Sequence, residues 1–274
     1  LHDALPICAF AAWVVVCHHF MQIFFDFHAS GPVGQLFTDR GAVGVDIFFV
    51  ISGLVIYLST CDKQVVPHQF VLNRVLRIVP AYWFYSALMA LMLLAFSQWM
   101  PHQVFTWQHL LRSLFFIPAE NPGGYGMYPT LNVGWTLNFE MMFYLLFGMA
   151  FLVSRRLHLL VVAGLLVGVS EILGRLGVVS HFYNNDIVYE FLLGIGIGVL
   201  YRRGLVRQGI WVPMGLLAVA ALAIYQLDAS QRLLHWGLPS AMVVLAFIAM
   251  EPLFKGNRIL KAIKARTTIA LGRP

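Results

Sequence analysis

Long apolar runs occupy most of this chain, and they restrict more than any other feature what it can fold into. A helix of about twenty residues rises roughly 30 Å, which matches the hydrocarbon core of a bilayer. The runs lack the alternation of apolar and polar residues that membrane barrel strands require. They therefore predict an all-α fold, a polytopic transmembrane helix bundle with about eight spans. These spans are residues 8–28, 41–60, 79–97, 132–153, 158–176, 186–201, 210–226 and 233–250.

The composition excludes two common classes of chain outside the membrane. Of the 274 residues, 60% are hydrophobic and 11% are charged. Soluble domains carry about a quarter charged residues, and disordered chains are poor in apolar residues. We interpret the net charge of +6 as a sign of membrane topology and expect no nucleic-acid partner. The three cysteines have no spacing typical of a disulfide framework or a thiolate metal site, so no metal is expected.

The basic residues are distributed unevenly between the two sets of loops that eight spans create. Residues 61–78, 154–157, 202–209 and the stretch after 251 hold most of the 18 Lys and Arg residues. The positive-inside rule places these loops, and with them the N-terminus, in the cytoplasm. The amphipathic segment 103–118 belongs to the other set and is too short to span, so we expect it to lie in the membrane interface.

Ionisable side chains within the apolar runs are few, and each is a candidate functional group because burying it in hydrocarbon is costly. His18 and His19 lie near the predicted midplane, and Glu140 enters the bilayer from the opposite side. A carboxylate that holds a histidine ring fixes its tautomer and raises its basicity, as a general base requires. The alternative is that these groups only hydrogen-bond inside the bundle. Glu171 and Glu190, near outer helix ends, are interpreted as structural or snorkelling residues.

Two arginines form a second candidate site. Arg74 and Arg77 lie three residues apart just before Pro80, which suits the first turn of the third span. Residues at this spacing share one helical face, so both guanidinium groups can clamp a phosphate at the cytoplasmic mouth of the span. The alternative is that they are an ordinary positive-inside anchor.

Four segments of the chain carry a family resemblance. They are AAWVVVCHHF at 11–20, GVDIFFVISG at 44–53, RVLRIVPAYW at 74–83 and WTLNFEMMFY at 135–144. In order and spacing they resemble the membrane-bound acyltransferase 3 family, the bacterial O-acyltransferases of cell-surface polysaccharides. Any one motif is weak alone, but four in family order are specific.

The resemblance implies roles for individual residues. His19 would be the base that deprotonates an acceptor hydroxyl, Glu140 would orient or charge its ring, and His18 is the neighbouring catalytic candidate. Arg74 and Arg77 would bind the phosphates of acetyl-CoA. The remaining motif residues, assigned to substrate binding or to structure, are Asp46, Ser52, Tyr82, Trp135, Asn138 and Tyr144.

The same resemblance implies the partners of the chain. The donor is an acyl-CoA in the cytoplasm, most simply acetyl-CoA. The acceptor is a carbohydrate: a surface polysaccharide, a lipopolysaccharide or a peptidoglycan precursor. The chain would cross the lipid bilayer of the bacterial cytoplasmic (inner) membrane several times. The sequence leaves open whether the acyl group moves directly or through an acyl-enzyme.

Two other classes of function use the same side chains. A proton-coupled transporter could employ His19, Asp46 and Glu140 as a proton relay, although the sequence has no internal repeat of the kind transporters often show. A non-catalytic membrane scaffold is the third class, but it has no need of intramembrane histidines together with paired arginines.

Both ends of the chain depart from the family pattern. Residues 1–7 match one reading frame of a common sequencing adapter, and we expect them to be foreign to the natural protein. Cys8 stands where the first family motif has an arginine, eleven residues before His19, and we expect the natural gene to encode a basic residue there. The family continues beyond Pro274, so we interpret residues 8–274 as an acyltransferase domain with about eight of ten spans.

Overall fold

The computed structural model describes residues 5–28, 31–100, 103–154 and 156–251, and every regular element in them is helical. The predicted all-α fold is therefore confirmed. Short 3₁₀ and π turns join or extend ten α-helices in this part of the chain. The helices are α1 (Leu5–Phe25), α2 (Pro32–Arg40), α3 (Val43–Thr60), α4 (Pro67–Ala95), α5 (Trp107–Leu114), α6 (Trp135–Val153), α7 (His158–Val167), α8 (Glu190–Arg202), α9 (Trp211–Gln226) and α10 (Leu238–Ala249).

Each predicted span coincides with one of these helices, but the helices differ in length. Four are long and apolar enough to cross a membrane: Pro6–Phe25, Val43–Thr60, Pro67–Ala95 and Asn132–Val153. Three further apolar helices are shorter: His158–Leu173, Trp211–Gln226 and Leu233–Ala249. Two of these three contain a π turn, Gly168–Leu173 after α7 and Leu233–Gly237 before α10.

The expectation that Pro80 lies in the first turn of the helix that forms the third span is wrong. Helix α4 begins at Pro67, runs for 29 residues and contains Pro80 in its interior. Pro67 provides the start because its fixed φ suits a first helical turn, and extended Val66 precedes it. Arg74 and Arg77 therefore lie within the helix rather than before it. Hydropathy finds the part of a helix that is apolar enough to contact lipid. It misses the first third of α4 because that part is polar.

The described helices form two compact units. The first contains α1–α3 and α8–α10, drawn from the two ends of the chain, and the second contains α4–α7 from the intervening segment 63–188.

In the first unit, α3 and α8 pack with their backbones in contact. A Cβ atom added to Gly53 would lie 2.0 Å from the carbonyl oxygen of Phe191, and one added to Gly194 would lie 1.9 Å from that of Val50. Small residues allow this approach, which is typical of helix pairs in membranes because close packing replaces the hydrophobic driving force. Around the crossing, the buried core of the unit includes Ile47, Leu54, Ile197 and Val244.

In the second unit, α4 and α6 are antiparallel. Phe70 of α4 packs on Phe147 of α6, with ring centres 5.4 Å apart, whereas Tyr82 packs on Gly134 at the start of α6. The start of α4 therefore packs against the end of α6, and residues further along α4 pack against the start of α6. Helix α5 lies against the middle of α4, because the Trp83 indole donates a hydrogen bond to the carbonyl of Leu114 (2.9 Å).

The α3–α8 contact predicts opposite effects for two glycines of α8. Gly194→Ala should lower the melting temperature in detergent, because its Cβ forces two backbones apart at a cost of about 1–3 kcal/mol. Gly196→Ala is the matched control, since a Cβ there meets nothing within 4 Å. This control should be neutral or gain up to about 1 kcal/mol from helix propensity. Equal melting temperatures for the two variants would contradict the close crossing.

Candidate active site

The middle of α6 carries a cluster of charged and phenolic groups in the second unit. Glu140 and Tyr144 lie one turn apart on one face of α6, and the Tyr144 hydroxyl donates a hydrogen bond to the Glu140 carboxylate. Antiparallel packing brings Arg74 of α4 to this face. Its guanidinium carbon lies 5.4 Å from the ring centre of Phe70 and 5.7 Å from that of Tyr144. Arg74 is also close enough to Glu140 for the two charges to attract.

The two arginines of α4 occupy different environments. Arg74 is half-buried against α6, whereas Arg77, almost one turn further along α4, is exposed. Tyr144 stands midway along α6, which runs from Trp135 to Val153. Arg74 therefore lies opposite the centre of α6. The expectation that both arginines lie at the cytoplasmic mouth of a membrane span stays a prediction. Whether they bind a phosphate stays a prediction.

The two adjacent histidines belong to the first unit, and their rings make different contacts. Nδ1 of His18 lies 2.9 Å from the carbonyl oxygen of Phe37 in α2, and its Cβ packs on Gly41. Nδ1 of His19 lies 2.9 Å from Oε1 of Gln22. When Nδ1 donates to this amide oxygen, Nε2 carries the lone pair that a general base needs.

The predicted partnership between His19 and Glu140 stays a prediction. The two residues belong to different units. Within its own unit each has another hydrogen-bond partner, Gln22 for His19 and Tyr144 for Glu140.

Sequence reasoning missed the partner of Asp46. Arg232 binds the Asp46 carboxylate with two parallel hydrogen bonds, Nε to Oδ1 at 2.9 Å and Nη2 to Oδ2 at 3.0 Å. The Asp46 side chain is 0% exposed. The sequence shows an arginine at the edge of an apolar run and an aspartate in another run, but an arginine at such an edge can also snorkel to the interface without a carboxylate partner. Since the two residues are 186 positions apart, spacing alone could not pair them.

Glu190 completes a buried ionic cluster with this pair. It is 0% exposed, its charge neighbours are Asp46 and Arg232, and its Oε1 lies 3.0 Å from where a Cβ on Gly237 would be. The snorkelling interpretation of Glu190 is therefore wrong, and the structural one agrees with its position. Glu171, by contrast, forms an exposed ion pair with Arg175 one turn away on its own helical segment.

The remaining motif residues occupy packed positions. Tyr82 is buried, and its hydroxyl donates to the carbonyl of Ser113 (3.0 Å). Trp135 makes an edge-to-face contact with Phe139, and Ser52 is half-buried on α3. Asn138 is buried, and its Oδ1 has no hydrogen-bond partner within the described ranges. The contacts of these motif residues do not indicate a catalytic role for any of them.

Comparison with known proteins identifies the class of this chain. The acyltransferase-domain model of the acyltransferase 3 family matches residues 9–264, so the chain belongs to that family. Together with the four long apolar helices, this membership indicates an integral membrane protein.

The chain is similar to a curated protein, the "Exopolysaccharide production protein ExoZ" of Rhizobium meliloti (strain 1021). The two are 40% identical over 182 residues, which are 65% of this chain and 56% of that protein. The chain therefore spans little more than half the length of this relative. No solved structure matches the chain.

The ionic cluster predicts the outcome of a double substitution. Arg232→Leu should lower the free energy of unfolding by about 3–5 kcal/mol, because it leaves the Asp46 charge buried without its partner. Adding Asp46→Asn should recover most of this loss, since the unpaired charge is then gone. The measurement is thermal unfolding of the purified protein in detergent.

Arg175→Leu is the control for removing an arginine. Its ion pair with Glu171 is exposed, so the loss should stay within about 1 kcal/mol. If the Arg232→Leu protein is as stable as the Arg175→Leu protein, the ion pair with Asp46 is not a structural requirement.

Proposed function

We propose that the chain is a membrane O-acyltransferase that moves an acetyl group from acetyl-CoA to a hydroxyl of an exported polysaccharide. The observation that carries this proposal is the acyltransferase-domain match over residues 9–264. The printed name of the relative, an exopolysaccharide production protein, favours exopolysaccharide over lipopolysaccharide or a peptidoglycan precursor as the acceptor.

His19 is the proposed general base. Its Nε2 lone pair takes the proton of the acceptor hydroxyl while the hydroxyl oxygen forms an ester bond to the acetyl carbonyl carbon. The bond between that carbon and sulfur breaks, and the CoA thiolate takes up the proton. The hydrogen bond from Nδ1 to Gln22 supports this role because it fixes the tautomer in which Nε2 is unprotonated.

The arginines of α4 are the proposed binding groups for the CoA phosphates. Arg77 is exposed and therefore accessible to a ligand, and its guanidinium can form a bidentate contact with a phosphate. Arg74 contributes positive charge to the same helix, but its own side chain packs on Tyr144 and is attracted to Glu140. We therefore assign Arg77 to binding and Arg74 to both binding and structure.

The proposal includes a location and a direction. The excess of basic residues in one set of loops supports a multi-pass protein of the bacterial cytoplasmic membrane with its N-terminus in the cytoplasm. Acetyl-CoA would then bind from the cytoplasm, and the acceptor would bind at the opposite end of α6, where the segment 103–134 lies.

Removal of the base tests the chemistry. His19→Ala should lower kcat for acetyl transfer at least 100-fold, the range that a general base contributes. Glu140→Gln should also be severe, because it removes the charge beside Arg74 and Tyr144. The assay follows transfer of labelled acetyl to exopolysaccharide in membranes. His68→Ala is the matched control, since His68 is exposed on the first turn of α4. If the His19→Ala protein is as active as the His68→Ala protein, His19 is not the general base.

Substitution of the arginines tests donor binding. Arg77→Ala should raise KM for acetyl-CoA about tenfold or more without changing the melting temperature, and Arg77→Lys should restore it only in part because lysine lacks the bidentate fork. Arg74→Ala should raise KM and also lower the melting temperature. Arg207→Ala, at another exposed arginine, should change neither quantity. An unchanged KM in both α4 variants would leave the pair as a topology anchor.

A further inference from the structure

The end of the segment between α4 and α6, together with the first residue of α6, carries three aromatic rings grouped on one surface of the second unit. The ring centres of Tyr125 and Tyr128 lie 6.0 Å apart, and those of Tyr128 and Trp135 lie 6.5 Å apart. Tyr128 is 38% exposed, and the other two rings are partly exposed. Together they form a continuous aromatic surface at the start of α6.

Two amide side chains border these rings. The Tyr125 hydroxyl lies 2.5 Å from Oε1 of Gln103 and 3.0 Å from Oδ1 of Asn132. The hydroxyl has one proton and can donate it to one of the two oxygens at a time, and each amide keeps polar atoms that this contact does not use. A planar amide offers donors and an acceptor together, so it can bond to adjacent hydroxyl groups of a ligand. We call Gln103, Tyr125, Tyr128, Asn132 and Trp135 the aromatic–amide cluster.

The backbone beneath the cluster is fixed by side chains. The carbonyl of Tyr128 accepts hydrogen bonds from Nε2 of His109 and Nδ2 of Asn121, both at 3.1 Å. Burial lowers the pKa of His109, so its ring is neutral near pH 7 and keeps this bond without adding charge. The turn is closed by the backbone carbonyl of Gly126, which accepts a hydrogen bond from the backbone N–H of Asn121 (2.9 Å). Gly126 itself has a φ of +110°. A surface that is already ordered loses little entropy when it binds a ligand.

The chemistry of the cluster fits a sugar ring. Pyranose rings have apolar C–H faces and equatorial hydroxyls, and such ligands are held by aromatic faces together with a few precisely placed polar groups. Aromatic residues at a membrane interface need no amide partners, as Trp107 illustrates. That ring is 65% exposed and packs edge-on against Phe105, at 5.0 Å between centres.

The cluster lies close to Glu140 within the second unit. Trp135 is the first residue of α6, and Glu140 follows five residues later, which is about 7.5 Å of helical rise. We propose that the aromatic–amide cluster binds a hexopyranose unit of the carbohydrate acceptor. The inference rests on the proposed function, because it assigns the acceptor site of that same reaction.

Direct binding tests the site without the reaction. Saturation-transfer NMR on the purified protein in detergent would use tetrasaccharides of glucose, galactose and mannose as probes. At least one of them should bind the unaltered chain, and Tyr128→Ala and Gln103→Leu should each weaken that binding tenfold or more. Tyr125→Phe keeps the ring and removes the hydroxyl that holds the amides, so it should weaken binding to a smaller extent.

Trp107→Ala is the matched control, since it removes an exposed ring from the same segment outside the cluster. It should leave sugar binding unchanged, and melting temperatures identify any variant that does not fold. Failure of all three probes to bind the unaltered chain overturns the proposal, as does an equal loss in the Trp107 variant.

The acetyl-transfer assay separates this inference from the proposed function. Tyr128→Ala should raise KM for the acceptor about tenfold and leave KM for acetyl-CoA unchanged. If the chain transfers acetyl and this variant has an unaltered acceptor KM, the cluster is not the acceptor site but the function stands. If tetrasaccharides bind the cluster and no acetyl is transferred, the site stands and the proposed function fails.

Discussion

The first unit depends on the buried ion pair between Asp46 and Arg232. A carboxylate that is 0% exposed needs a partner for its charge, and Arg232 supplies two parallel hydrogen bonds to Asp46. The pair joins α3 to the segment before α10, and Glu190 at the start of α8 packs against it. These charges oppose sliding or rotation of α3 and α8. The close contact between the glycines of the two helices needs such a fixed arrangement.

The second unit follows a different principle. Its antiparallel pair, α4 and α6, is held mainly by aromatic contacts such as Phe70 with Phe147, and its charged groups lie at the centre of α6 rather than at helix ends. Tyr144 connects the two kinds of interaction, since its ring lies under Arg74 and its hydroxyl bonds to Glu140. The motifs around Arg74 and Glu140 therefore meet because of the direction in which the two helices run.

The apolar runs were sufficient to predict the eight helices that coincide with the predicted spans, and they failed elsewhere, for example at α2 (Pro32–Arg40), which is mostly polar. The polar start of α4 was missed because hydropathy does not measure helicity in a segment such as 67–78. The π turns at 168–173 and 233–237 depend on packing and have no local signal. The histidines and Glu140 were found as costly ionisable groups in apolar runs, and the arginines were found as a pair three residues apart before such a run. The pairing of Asp46 with Arg232, and the grouping of Tyr125 with Gln103 and Asn132, require contacts that a single sequence does not contain.

The discontinuous first unit has a consequence for biosynthesis. Asp46 leaves the ribosome 186 residues before Arg232, which at bacterial and eukaryotic elongation rates is roughly 10–40 s. During that interval α3 must enter the bilayer with its carboxylate uncompensated, protonated or held by the insertion machinery. The helices of the second unit are complete before Arg232 is made. The ion pair is therefore among the last contacts to form, and a nascent chain that stalls before residue 232 leaves Asp46 on α3 without its arginine.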